Sequence, residues 1–278
     1  MKLIVVPASR GYQWARQGLQ MCINQPLGFV SLFGLVATLV MLLMALQILG
    51  LIAVVVAMPA LWMSFMLAVR RVMANEKISP AVLIEPWRAP EDRIRWLQLG
   101  GLYAAGTLLV VVLSSFVGPD AEDMAKVLEA SNENADLLSD TVMLESMAWR
   151  ALLALPLSLA FWHTPALMFW GRIPPVKALF FSAVASWRNL GAFMVYGAVW
   201  MGVLVAMGLL VRAIDTLIPV PFVAQVITVF AGMWVASAFY ASLYFTVVDC
   251  FEPRQEGLEG PGHPPADGPE DRDDNRSV

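Results

Sequence analysis

Charge is what this chain has least of. Only 14% of its 278 residues are Asp, Glu, Lys or Arg, against about 25% in an ordinary soluble domain, and 59% are hydrophobic. The deficit is concentrated, because no charged residue lies between Arg16 and Arg70 and none between Asp215 and Asp249. Such runs exclude a water-soluble globule, whose helices each keep a polar face. Cysteine is nearly missing too. Cys22 and Cys250, 228 positions apart, supply neither a disulfide framework nor the close pair of a zinc or redox motif. A net charge of -4 without a basic stripe speaks against a nucleic-acid partner. There is no Gly-rich phosphate loop, no His-Glu-x-x-His and no Gly-x-Ser-x-Gly, and the two histidines, His163 and His263, stand far apart. The expectation is therefore a protein that is not an enzyme and holds no metal or cofactor. The apolar stretch Leu3–Val6 is too short for a signal-peptide core, so the first span is expected to be retained.

What is present is long apolar sequence. A hydrocarbon layer of about 30 Å needs about 20 apolar residues as a helix. Six windows qualify, approximately 27–47, 51–69, 97–117, 151–170, 190–211 and 222–248. The first two form one uncharged block of 43 residues, too long for a single crossing, with Gln47-Ile48-Leu49-Gly50 as the place for a tight turn. Lys and Arg set the orientation, because cationic segments stay on the cytoplasmic side. With six spans, 15 of the 18 fall on the side that holds both ends, leaving Lys126, Arg150 and Arg212 opposite. Both termini are expected in the cytoplasm of a bacterial cell, and the partner implied for the whole surface is the lipid bilayer. The fold expected is all-α: a polytopic membrane bundle of six transmembrane helices in three hairpins, with interfacial amphipathic helices. Segment 1–26 reads as a cytoplasmic lead-in, 118–149 as an outer acidic segment, and 249–278 as an acidic tail too rich in Pro and Gly to bury a core.

Spans leaving the cytoplasm open alike, with Leu27-Gly28-Phe29, Leu99-Gly100-Gly101-Leu102-Tyr103 and Leu190-Gly191-Ala192-Phe193. Two returning spans share Pro59-Ala60-Leu61 and Pro165-Ala166-Leu167. This repetition points to three related hairpins. The opening Val6-Pro7-Ala8-Ser9-Arg10-Gly11 with Trp14, the Pro165-Ala166-Leu167 turn, and Lys177-Ala178-Leu179-Phe180-Phe181-Ser182 leading to Ser186-Trp187-Arg188-Asn189 resemble an uncharacterised family of six-span inner-membrane proteins from proteobacteria. A looser resemblance is to the membrane part of some glycerophosphodiester phosphodiesterases, without a catalytic domain. The resemblance implies fold and location, and it transfers no site.

Residues Arg10 to Asn24 segregate at 100° per residue. Trp14, Ala15, Gly18, Met21 and Cys22 share one arc, and Arg10, Arg16, Gln13, Gln17 and Gln20 the other. That pattern predicts a helix lying in the membrane interface, apolar side down, anchored by Trp14, Arg10 and Arg16. His163 is the one ionisable residue well inside a predicted span. Counted back from Arg172 at about 1.5 Å per residue, it falls near the middle of the bilayer. An intramembrane ionisable group is a functional candidate, so His163, Thr164 and Pro165, with Pro59, form the candidate substrate contact. The plainer expectation is a neutral histidine bonded to a carbonyl freed by Pro165, and kinks at Pro59, Pro156 and Pro165 that only shape the helices. Small residues Ala198, Gly202 and Ala206, and Gly232 and Ala236, suit close helix packing within the bundle or, as a lesser alternative, a homo-oligomer. In the outer segment, Glu129, Glu133, Asp136 and Asp140 fall within about 60° on a helical wheel, a solvated ridge that otherwise would meet cations or a basic protein partner. The leading functional expectation is a scaffold, assembly factor or envelope-homeostasis component. Its rival is a transporter or channel for a small or lipid-like solute with His163 near the path.

Overall fold

The computed structural model describes residues 2–116, 135–217 and 220–251, with side chains throughout these except in 135–147. The regular elements among the described residues are helices. Helix α1 (Arg10–Asn24) is followed by a hairpin of α2 (Pro26–Met44) and α3 (Ile48–Met73). Two 3-10 turns, Pro80–Leu83 and Glu85–Trp87, lead into α4 (Pro90–Ser114) and α5 (Ala135–Phe161), which continues after a break as the short α6 (Thr164–Phe169). Helix α7 (Pro175–Arg188) precedes the third hairpin, α8 (Leu190–Leu217) and α9 (Pro221–Cys250). Six helical segments are long and apolar enough to cross a membrane: Pro26–Met44, Ile48–Met73, Pro90–Ser114, Ala148–Phe169, Leu190–Leu217 and Pro221–Cys250. These are the six expected spans. The first turn falls a little earlier than expected, at Ala45–Gln47, with Gln47 at φ 55°.

Proline marks the starts. Pro26, Pro90, Pro175 and Pro221 each open a helix, where a missing N–H costs nothing because the first turn has no acceptor to offer it. The three hairpins are then joined in a cycle by the short elements that precede them. Helix α1, ahead of the first hairpin, lies across the third, on α8 and α9. The 3-10 turns ahead of the second hairpin pack on α3 of the first, and α7 ahead of the third packs on α5 and α6 of the second. The repeat suspected from the sequence is therefore a repeat of architecture: each lead-in caps the hairpin before it in the ring.

The two ends of the bundle differ. At the near end the chain closes on itself: Leu3 forms an isolated antiparallel bridge with Phe251, and Ile4 N–H donates to the Cys250 carbonyl at 2.9 Å. Burial is concentrated there. The buried residues of α8 are Ala192, Phe193, Tyr196 and Trp200, all in its first three turns, and those of α2 are Phe29 and Leu32. In α9 the buried residues cluster from Ser237 onwards, with Ala224 alone before it.

Candidate functional site

The fourth crossing is interrupted where the sequence places His163. Pro165 cannot donate to a preceding carbonyl, and its ring disfavours helical backbone at Thr164. Helix α5 accordingly stops at Phe161, and Pro165 sits in the first turn of a separate helix rather than kinking a continuous one. The ring of His163 packs edge-on against Phe251, just past the end of α9, with centroids 5.3 Å apart, and against Phe193 at 5.7 Å. It therefore lies towards the near end, and it is completely buried.

The freed backbone groups are satisfied by α7, not by the imidazole. Ser182 and Ser186 both donate to the Leu159 carbonyl at 3.1 Å, and His163 N–H donates to Ser182 Oγ at 2.9 Å. Thr164 Oγ1 donates to the Ala160 carbonyl at 2.7 Å. Ser186 Oγ lies 3.4 Å from His163 Nδ1. Nε2 has no hydrogen-bond partner. Thr164 and Pro165 are buried, so the structure gathers His163, Thr164 and Pro165 into one dry joint between α5, α6 and α7.

Next to Trp162 is a cavity of about 180 Å³ between the three hairpins. Its walls are Trp62 of α3, Tyr103 of α4, and Ser158 and Trp162 at the end of the second hairpin. Phe239, Tyr240 and Leu243 of α9 complete it. The rings meet edge to face: Trp62 and Tyr103 at 5.2 Å, Trp162 and Phe239 at 6.2 Å. Trp62 Nε1 is buried without an acceptor. Pro59 is buried one turn before Trp62 and does not line the cavity.

The amphipathic helix was read correctly in its faces, but Trp14 is not at a lipid surface. Gly11, Ala15, Gly18 and Cys22 bring α1 against the third hairpin so closely that a Cβ on Gly18 would stand 2.4 Å from the Ser242 Cβ. Trp14, fully buried, lies 5.4 Å from the Phe193 ring and donates through Nε1 to Asp249 Oδ2 at 2.6 Å. The same carboxylate oxygen receives Arg10 Nε at 2.7 Å and Arg10 Nη2. So two expected anchors, Arg10 and Trp14, form a latch with the last turn of α9. Arg16 stays at the surface with Gln13, Gln17 and Gln20. Burial pushes the Cys22 thiol up to about 12. Asp249 was not singled out from the sequence, nor was Asn189, whose side chain accepts from Val6 N–H at 2.8 Å and donates to the Ile4 carbonyl at 3.0 Å. Both adjoin an apolar run, a position that could have marked them. The small residues at 11, 15, 18 and 22 were also a readable sign of a helix-packing face.

Of the acidic ridge, Glu129 and Glu133 lie outside the described residues, and Asp136 and Asp140 fall within the backbone of α5 without described side chains. Of the tail expected at 249–278, Asp249 and Cys250 instead belong to α9 and Phe251 is buried beside them, while the residues from 252 lie outside the described ones. Among the described residues no group of three or more His, Cys, Asp or Glu is placed to hold a metal ion.

Six apolar crossings arranged as three hairpins define a polytopic membrane protein. Over 277 residues the chain is 32% identical to a probable inner membrane protein of Burkholderia thailandensis, covering 98% of this chain and all of that one. The chain belongs to that family of inner-membrane proteins. No protein-family model and no solved structure matches it.

Proposed function

We propose that this is a non-catalytic inner-membrane protein that works through its surfaces, as a scaffold, assembly factor or envelope-homeostasis component, with both termini in the cytoplasm. The observation that carries the reading is the state of His163. An ionisable group within a span is the default mark of a transport path, and here it is enclosed by Phe193, Phe251, Ser182 and Ser186 with no exposed surface. It serves the joint between α5 and α7. The neighbouring cavity is smaller than the roughly 300–1,000 Å³ of a usual ligand pocket, and His163 is not among the residues that line it. What the molecule offers instead is exterior: Phe180 and Trp187 on α7 are 64% and 71% exposed, and Leu204 on α8 is 56% exposed. What supports the orientation is the sequence count: with six spans, 15 of the 18 Lys and Arg belong to segments on the same side as the two ends.

The test pairs two measurements on the full chain. Photo-crosslinking residues placed at Phe180, Trp187 and Leu204 in native membranes are expected to capture a defined protein at one of these positions. Liposomes holding wild type or His163→Ala are expected to show equal and background flux for ions, small polar solutes and fluorescent lipids. Flux that depends on His163 overturns the reading in favour of a transporter, and three silent crosslinking positions overturn it as well.

A further inference from the structure

Helix α7 does not cross the membrane, and both its ends are tied to the near end of the bundle. Arg172, just before it, donates to Asp92 at 2.8 Å, and Asn189, just after it, holds the Val6 N–H and the Ile4 carbonyl. Between these ties it lies on α5 and α6, with Ser182 and Ser186 donating to the Leu159 carbonyl inside the crossing Ala148–Phe169. The helix therefore runs along the membrane plane at the edge of the apolar layer. At 100° per residue its positions fall into three arcs. Pro175, Ala178, Ser182, Ala185 and Ser186, all small, are buried against the bundle. Val176, Phe180 and Trp187 lie within about 40° of one another on the outward side, and all three are exposed. Lys177 and Arg188, also exposed, lie within about 20° of each other and about a quarter-turn from that stripe. Helix α1, the lead-in to the first hairpin, instead turns Gln13, Arg16 and Gln20 outward. Two helices at the same end thus meet different surroundings, water for α1 and an apolar layer with a charged border for α7.

Charge identifies the occupant. No Asp or Glu occurs between Glu145 and Asp215. Of the helices that pack on α7, only α4 carries carboxylates at the near end, Glu91 and Asp92, and Asp92 is taken by Arg172. Among the described residues no carboxylate pairs with Lys177 or Arg188, and the Lys177 ammonium rests over the Phe181 ring at 5.8 Å. An anionic phospholipid supplies both missing parts in one molecule: acyl chains for the aromatic stripe and a phosphate for the cations. A zwitterionic lipid offsets its phosphate with its own ammonium, and a protein would have to bring an apolar and an acidic face together at headgroup depth. We propose that α7 is a seat for anionic phospholipid, with acyl chains along Val176, Phe180 and Trp187 and headgroup phosphates on Lys177 and Arg188. Because α7 carries the hydroxyls that close the break before His163, lipid on its outer side also holds that joint together. The proposal goes beyond the surface reading and is separable from it: lipid takes Phe180 and Trp187, and Leu204 is left for a protein.

The full chain in phosphatidylcholine nanodiscs tests this through Trp187, the most exposed tryptophan. Lipids brominated in their acyl chains quench tryptophan by contact, and the part of the quenching that Trp187→Phe removes reports lipid on α7. In wild type, brominated phosphatidylglycerol is expected to bind there about 5-fold more tightly than brominated phosphatidylcholine, the value of about 1 kcal/mol for one cation at an anionic surface. Lys177→Gln combined with Arg188→Gln is expected to bring the ratio to about 1, and Arg16→Gln, on the outward face of α1, to leave it unchanged. Glycerophosphate, which has the charge without the chains, is not expected to compete. Adding phosphatidylglycerol is expected to raise the thermal midpoint of wild type but not of the double variant. A ratio near 1 in wild type overturns the proposal, as does a ratio that the double variant keeps or that Arg16→Gln lowers as much. Displacement by glycerophosphate overturns it in favour of a free-anion site, and a wild-type midpoint indifferent to the lipid removes the hold on the joint. A photo-crosslinker at Phe180 that captures protein in place of lipid overturns it in favour of a protein dock and leaves the surface reading standing. Helical circular dichroism checks folding, and should the double variant not fold, Arg188→Gln alone decides.

Discussion

The near and far halves of the same helices obey different rules. In α8 the first three turns bury Ala192, Phe193, Tyr196 and Trp200, yet from Met201 to Leu217 no residue is buried, and Met201, Leu204, Val205 and Leu209 are each more than half exposed. These four fall within about 140° of one another on the helix, and the partly buried Val203, Met207, Val211 and Ile214 share the opposite face, so the far half is covered thinly and on one side alone. Composition does not cause the difference, because both halves are apolar. The near half adds groups that fix geometry: Arg10, Trp14 and Asp249, the Ser182 and Ser186 hydroxyls, and Tyr196, which shares a hydrogen bond of 2.6 Å with Ser242. In lipid, apolar contact between helices carries little advantage over apolar contact with acyl chains, so packing and interhelical hydrogen bonds decide where a bundle is tight. One end is held as a folded unit, and the other is left to the solvent it lives in.

The strongest way to break this contrast is to add volume at equivalent residue types. Gly18→Leu drives a side chain into the Ser242 Cβ at 2.4 Å and the Ala238 carbonyl at 2.5 Å, where backbone must move. Overpacking a fixed interface costs about 1–3 kcal/mol and sometimes more, and here α1 is expected to leave the third hairpin. Gly202→Leu meets nothing within 4 Å, and a change below about 0.5 kcal/mol is expected. Thermal unfolding of both variants in detergent gives the comparison, and equal losses would show that the far half is packed after all.

A smaller difference is expected from charge. Asp249→Asn removes the carboxylate that pairs with Arg10 and accepts from Trp14, at a cost of about 1.5–3 kcal/mol for hydrogen bonds to a charged group, discounted because Arg10 is about one-third exposed. Asp215→Asn, on the exposed far part of α8, is expected to change the midpoint little. A fall in stability with Asp215→Asn equal to that with Asp249→Asn would remove the latch as an explanation.

How much of this was legible follows from what a sequence pattern encodes. Six crossings could be read because charge in hydrocarbon is prohibitive, and the stretches between Arg16 and Arg70 and between Asp215 and Asp249 have no other place to go. The faces of α1 could be read because helical periodicity separates Trp14, Gly18 and Cys22 from Arg16 and Gln20. Their covering could not, since an apolar arc looks the same whether lipid or protein lies on it. The small residues at 11, 15 and 18 carried the missing information. His163 was found, but the end of α5 at Phe161 was not, because the count assumed a continuous helix through Pro165. The aromatic cavity was invisible: its walls come from α3, α4, α5 and α9, and no local pattern links Trp62 to Tyr103 or Phe239.

The smallest effect concerns how closed the near half is to water. Cys22 and Asn24 are two residues apart on α1, the first buried and the second exposed. Burial disfavours the charged thiolate, so the Cys22 pKa rises to about 12, and at pH 8 only about one thiol in ten thousand is ionised. As pH falls further below that value the thiol becomes still less reactive, and raising pH towards 10 increases the thiolate about tenfold per unit. In wild type, maleimide labelling of Cys22 at pH 8 is therefore expected to be slow and to quicken when α1 is detached by Gly18→Leu. Asn24→Cys is expected to label rapidly in both backgrounds, since its reactivity does not depend on the latch. Labelling of Cys22 as fast as of Asn24→Cys in the wild-type background would mean that the α1 interface opens often, and the tight half of the molecule would then be tight only in its hairpins.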